Sequence, residues 1–446
     1  MARATAARSD DPLLPFLTAY DPSDLPGTSV DPLGFDRGYN FLADQILPGL
    51  TNVARQPRYF GLLCAGALLG PTSNTPTRSE VTARQAAVLR LERLWALANV
   101  LSAAPGESPL GVRGVRYAEA HRDALSRSGA RATGCEFQLL GRQVQYGVVG
   151  IYGNVAHGMR LVDRATLGLT EDHGERLGAA FLEETRIPRA VKETARDGHR
   201  EVGLDALREW GARAGLSAMP GAEEARVLAR ALRQDPVRAR MAAALEERPP
   251  KKAETELVRL ARIEKALRGH DEELARAIAV ILQYEGCYRA ALLLFERVRW
   301  MCGASGAVPR TELAADSVLR SVSAELREAV SRLEHAITSA TAPRFREGLP
   351  RMQDVRAFLE AAKSCSPAGG GVTMTVIARH ADVQHGKFDR GQRKLPWLEA
   401  QGAHVCLTLA RSSEVSGEPT TSEGIRPHEY RTAAAEALAG AGGGAQ

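Results

Sequence analysis

Between Ala253 and Met301 lies the longest helical pattern in the chain, a charged amphipathic face that turns more apolar from Ala277 onward. A spacing of three and four residues between apolar positions predicts helix, and a helix of this length must bury its apolar stripe against others. Shorter patterns of the same kind surround it. Val88, Leu91, Leu94, Trp95, Ala98 and Leu101 predict a helix over 80–101, and further helices are expected over 39–47, 57–69, 115–128, 136–166, 311–341 and 351–364. The predicted fold is mainly α, a multi-helix core with a small β-containing C-terminal region. The β content is expected at Val372–Ile377 (VTMTVI) and Val405–Leu409 (VCLTL), where β-branched residues concentrate.

Glycine and proline punctuate the pattern. Pro48-Gly49 closes one helix, Pro57 opens the next as a residue whose missing amide costs nothing there, and Pro249-Pro250 breaks the chain near its middle. With 446 residues there is room for more than one core, because single cores stop growing at roughly 250–300 residues. The predicted organisation is an extended lead-in over 1–40, a helical domain over 41–248 and a second over 251–365. A small β and basic-loop region over 372–412 and a largely irregular tail over 413–446 complete it. The hinge before the β region is expected at Ser366–Gly371.

The formal charge of +5 permits a polyanionic partner without demanding one. The excess concentrates between 379 and 394, where Arg379, Lys387, Arg390, Arg393 and Lys394 face two acids, Asp382 and Asp389. Phe388 and Trp397 supply rings that can stack on bases, and Gly386 and Gly391 let the backbone bend toward a ligand. Arg55 and Arg58 form a second candidate patch. Arg58, in the first turn of its helix, meets an unfavourable dipole, so a carboxylate partner is expected from Asp31, Asp36 or Asp44.

The texts of common catalysts are missing. There is no G-x-x-x-x-G-K-[ST], no G-x-S-x-G, and no H-x-E joined to C-x-x-C. His380, His385 and His404 lack zinc spacing, and His270-Asp271 reads as a turn. His157 and His173 lie near Asp163 and Asp172 with nothing to fix them as an acid–base pair. Glu264-Lys265 and Glu360 with Lys363 fall in helices rather than beside a strand carboxylate. Glu285 and Arg289, four apart, are expected to neutralise each other. No catalytic residue, metal or cofactor is assigned. The six scattered cysteines suit reduced thiols, and the N-terminus lacks an apolar signal segment. Polar residues from Gln283 to Arg299 interrupt the apolar passage, so no membrane span and a cytoplasmic location are expected.

Residues 47–60, LPGLTNVARQPRYF, resemble an uncharacterised bacterial family with an LPG-T-like turn followed by Arg and then Arg-Tyr-Phe. Asp31-Pro32-Leu33-Gly34, Leu167-Gly168-Leu169-Thr170 with Gly178-Ala179-Ala180-Phe181, and Arg379-His380 through Lys394-Leu395-Pro396-Trp397 fit the same likeness. The resemblance implies a component of an antiviral defence or mobile-element gene set, working with other subunits. The expectation from residues and resemblance together is a non-catalytic subunit that binds DNA or RNA. A helical scaffold docking effector subunits is the alternative, and a divergent metal-dependent nuclease a weaker one.

Overall fold

The computed structural model describes residues 31–71, 73, 75–104, 106–366, 370–389, 392–408 and 417–440. Most of the lead-in, the centre of the glycine-rich hinge and the last residues of the tail lie outside the described residues. The chain is mainly helical, with a small β-containing region near the C-terminus. It forms two compact units, one from Gly49–Ala242 and the segment beginning at Arg431, the other from the residues up to Pro48 and Ala243–Tyr430. The contact boundary thus falls ahead of Pro249-Pro250, and α1 (Asp36–Ile46) belongs with the later residues. Asp31 shapes the entry to α1: its carboxylate accepts from the amides of Leu33, Gly34 and Asp36 at 2.7–3.0 Å.

In the first unit, α2 (Pro57–Leu69) is apolar on nearly every side and becomes the central helix. Against it or its neighbours pack α3 (Arg78–Ser102), α4 (Val115–Ser128), α5 (Gln143–Tyr146) and α6 (Val148–Gly158). A π-helical turn (Glu171–Glu175) leads into α7 (Arg176–Glu184), followed by α8 (Arg189–Asp197), α9 (Leu204–Ala214) and α10 (Ala222–Leu232). The strands β1 (Ala132–Thr133) and β2 (Val202–Gly203) form a two-residue antiparallel pair. Glycines and turns divide the helix expected over 136–166, as Gly147 shows: a Cβ there would lie 2.6 Å from the Glu92 carboxylate. Thr77 starts α3 with a reciprocal capping box to Glu80. At the centre the Tyr59 ring stacks on Tyr152 at 4.7 Å and meets Trp95 edge-on at 4.9 Å, while the Trp95 indole donates to the Ala214 carbonyl at 2.7 Å.

After α11 (Pro236–Glu247) comes α12 (Glu256–Leu267), which is separate from α13 (Glu272–Ser305). The helical region expected there is interrupted at Gly269-His270, in keeping with the turn read at His270-Asp271, and the Asp271 carboxylate caps the new start by accepting from the Leu274 amide. By length and composition α13 meets the requirement for a membrane span, and 61% of its most apolar window is buried. It packs on α1, on α12 and on a long antiparallel partner introduced next.

The chain continues through β3 (Ala307–Pro309), α14 (Arg310–Ala315), α15 (Ser317–Ser339), α16 (Pro343–Gly348), α17 (Gln353–Ser364) and α18 (Gly371–His385). A short ribbon, β4 (Phe388–Asp389) with β5 (Gln392–Arg393), precedes the hairpin β6 (Leu398–Gln401) and β7 (His404–Leu407). β7 lies between β3 and β6 in a three-stranded antiparallel sheet. Residues 372–377, expected as a strand, are helical. Their buried members Val372, Thr373, Val376 and Ile377, with His380 and Gln384, repeat at helical spacing, and packing on α13 and α17 overrides β-branched propensity. α19 (Thr432–Ala439) returns the chain to the first unit, against α10.

Glu285 and Arg289 do not neutralise each other as expected. Buried Glu285 accepts from His428 Nδ1 at 2.6 Å and the Tyr430 hydroxyl at 2.7 Å, fastening the segment after residue 417 to α13, while Arg289 donates to the Ser422 carbonyl. The pairing partners are too far along the chain for a local pattern to reveal.

Candidate nucleic-acid interface

The basic segment begins where α18 ends. Buried His380 orders its approach: the Trp397 amide donates to Nε2 at 2.8 Å, which makes Nε2 an acceptor and leaves Nδ1–H to donate to the Pro32 carbonyl at 3.0 Å. Burial pushes this imidazole down to about 4, aided by Lys387 and Arg299 nearby, so it stays neutral. His380 is therefore a structural clasp. Trp397, expected as a stacking ring, instead lies against Phe295 and His380 with the Arg299 guanidinium 5.8 Å from its ring centroid.

Three of the expected phosphate ligands are committed within the protein. Lys387 is buried and its ammonium donates to the Asp31 carbonyl. Arg379 pairs with Asp354 at 2.7 Å and donates to the Leu33 carbonyl at 2.9 Å. Arg58 is buried, and its partner is none of Asp31, Asp36 or Asp44 but Glu224 on α10, at 2.6 Å. It also donates to the carbonyls of Arg213, Ala218 and Met219 and lies 6.0 Å from the Phe181 ring. A guanidinium so engaged is out of reach of a phosphate. Arg55 is exposed, and Arg390 lies outside the described residues.

The ribbon keeps the remaining features together. The Lys394 amide donates to the Lys387 carbonyl and closes it, and Phe388 stands directly across from Arg393. Cross-strand partners share a face. The Phe388 side chain is 49% exposed, Arg393 is exposed and Lys394 half-buried. Arg310, which no sequence pattern distinguishes, is exposed at the start of α14, and its amide donates to the Ala403 carbonyl in the β6–β7 turn at 2.8 Å. That turn depends on Gly402 at φ +58°.

Several other polar side chains singled out in the sequence are bonded within the fold. A cavity of about 620 Å³ in the first unit includes His157, Arg84 and Asp163. Arg84 spends its donors on the Pro71 and Thr166 carbonyls, and Asp163 caps the amides of Ala165 and Thr166. Glu264 pairs with Arg268 and Lys363 with Glu334. Among the described residues no group of three or more His, Cys, Asp or Glu side chains is placed to hold a metal ion. No family model matches the chain, no curated protein matches it, and no solved structure matches its fold.

Proposed function

We propose that the chain is a non-catalytic, nucleic-acid-binding subunit of a bacterial antiviral defence system, acting in the cytoplasm with partner subunits. The observation that carries the binding role is the exposed Phe388 ring paired across the ribbon with Arg393, with Lys394 next in sequence. An aromatic face beside a fixed cation can stack on a base while neutralising its phosphate. The defence setting rests on the resemblance of residues 47–60 and the texts that accompany it.

Fluorescence anisotropy with labelled oligonucleotides tests the binding role. Affinity should fall steeply with salt, and Arg393→Glu with Lys394→Glu should weaken it by about 10- to 100-fold at low salt. With single-stranded probes Phe388→Ala should remove about 1–3 kcal/mol for a stacked base, a contact that a paired duplex does not offer. Salt-insensitive binding, or charge reversal without effect, would rule the reading out. A scaffold role is the competing reading, favoured by Leu395, 64% exposed close to Phe388 in sequence. It would show as a stable protein complex disrupted by Leu395→Asp, with no nucleic acid retained.

A further inference from the structure

Resting on the nucleic-acid reading, we infer that the second unit contains a winged helix-turn-helix whose ligand is duplex DNA, with α18 entering the major groove. The chain order supplies the first ground. α13 leads into β3, the pair α17 and α18 follows, and the hairpin β6–β7 ends the region with its second strand seated beside β3. Helix, strand, helix pair and hairpin, with the first strand against the last, is the connectivity of a winged helix-turn-helix; α14, α15 and α16 are additions between β3 and the helix pair, and the β4–β5 ribbon is an addition between α18 and the hairpin. The packing agrees: α17 lies on α18, and α18 lies on α13 and β6.

Connectivity does not assign a ligand, so the surface of α18 has to supply the second ground. Its buried face holds Val372, Val376, Ile377, His380 and Gln384. On the opposite side Thr375, Ala378, Asp382 and His385 recur at helical spacing, from half-buried at Thr375 to exposed at the other three. This face carries no bulky side chain to hold the helix away from a groove floor. Of its polar members Asp382 suits a base edge, since a carboxylate accepts from the cytosine amino group, whereas the Thr375 hydroxyl already donates to the Gly371 carbonyl at 3.0 Å. Asp382 also repels phosphate, so backbone affinity must come from beside the helix. Exposed Arg393 lies beyond its C-terminal end, and exposed Arg310 adjoins the hairpin turn, its backbone amide donating a hydrogen bond to the Ala403 carbonyl. Phosphate contacts from such cations would fix a duplex on α18 without reading its sequence. The B-form major groove admits a helix, whereas the A-form groove of duplex RNA is too deep and narrow, which selects DNA.

The test uses the full chain with three labelled probes: a DNA duplex, an RNA duplex of matching sequence and a DNA single strand. The DNA duplex should bind about tenfold or more tightly than the RNA duplex. Ala378→Glu, on the exposed face of α18, should weaken duplex DNA binding by about tenfold while leaving single-strand binding within about twofold. Arg310→Glu, outside α18, should weaken duplex binding independently and covers the case in which Ala378→Glu disturbs folding, judged by circular dichroism. Equal affinity for both duplexes, or unchanged duplex binding in folded Ala378→Glu and Arg310→Glu, overturns the inference. Tight single-strand binding without duplex binding overturns it and spares the reading beneath it; absence of binding to all three probes overturns both.

Discussion

Arg58→Met should lower stability by about 3–5 kcal/mol, read from urea unfolding followed by circular dichroism. The substitution keeps an apolar chain of similar length in α2 but removes a buried guanidinium serving one carboxylate and three carbonyls. Glu224 would be left worse off than most carboxylates, because its Oε1 already has no hydrogen-bond partner. Burial outweighs Arg58 and pushes this carboxyl up to about 7, with Glu184 adding like charge. Proton uptake at Glu224 therefore softens the loss in acid, and the full effect belongs above neutrality. The double variant Arg58→Met, Glu224→Leu separates the terms. It should recover the cost of the stranded carboxylate while retaining a deficit of about 1–3 kcal/mol from the unpaired carbonyls. A loss below about 1 kcal/mol in the single variant would contradict this account of the pair.

Glu92→Gln should stabilise the protein above pH 8 by as much as about 3 kcal/mol, with the gain vanishing near pH 4.5. Glu92 is buried on α3 and accepts from the Val148 amide and the Gln143 side chain, both at 2.7 Å. Burial nevertheless pushes its carboxyl from 4.5 up to about 7. A raised carboxyl binds protons more tightly folded than unfolded, so its contribution is fully present below 4.5 and is lost as pH rises through about 7. Glutamine keeps an acceptor for Val148 and never ionises. His380, in the other unit, works in the opposite sense. Its imidazole is pushed down from 6.5 to about 4, so its contribution is present above 6.5 and is lost as pH falls toward 4. Calorimetry at pH 5, 6.5 and 8 on the wild type and Glu92→Gln checks the sign; a variant–wild-type difference that stays constant with pH would refute it.

Much of the helical framework was legible because its causes are local. Pro57 opens α2 and Gly70 follows it, and 57–69 and 115–128 are helical at the expected bounds. Residues 372–377 misled because β-branched side chains signal strand, while the burial that makes them helical comes from α13 and α17. The site was less legible than the fold. Phe388 and Arg393 were recognisable as a ring and a cation, and their cross-strand pairing needed only a short ribbon. Nothing near Arg58 announces Glu224, which lies 166 residues away, and nothing near Lys387 announces the Asp31 carbonyl 356 residues upstream. Charge counts along a sequence cannot distinguish an arginine facing solvent from one stitching distant backbone together.

The interleaving of the two units bears on how the chain is made. α1 packs on α13, whose residues are synthesised more than two hundred positions after it. The first unit in turn waits for α19, close to the C-terminus. At about 5–20 residues per second, roughly 20–80 s of translation separates α1 from α19. Until α13 is made the apolar face of α1 lacks this partner, and α10 then lacks its cover until α19 follows. A premature stop shortly before Arg431 would yield a product that keeps the second unit but lacks α19, the cover of α10 in the first.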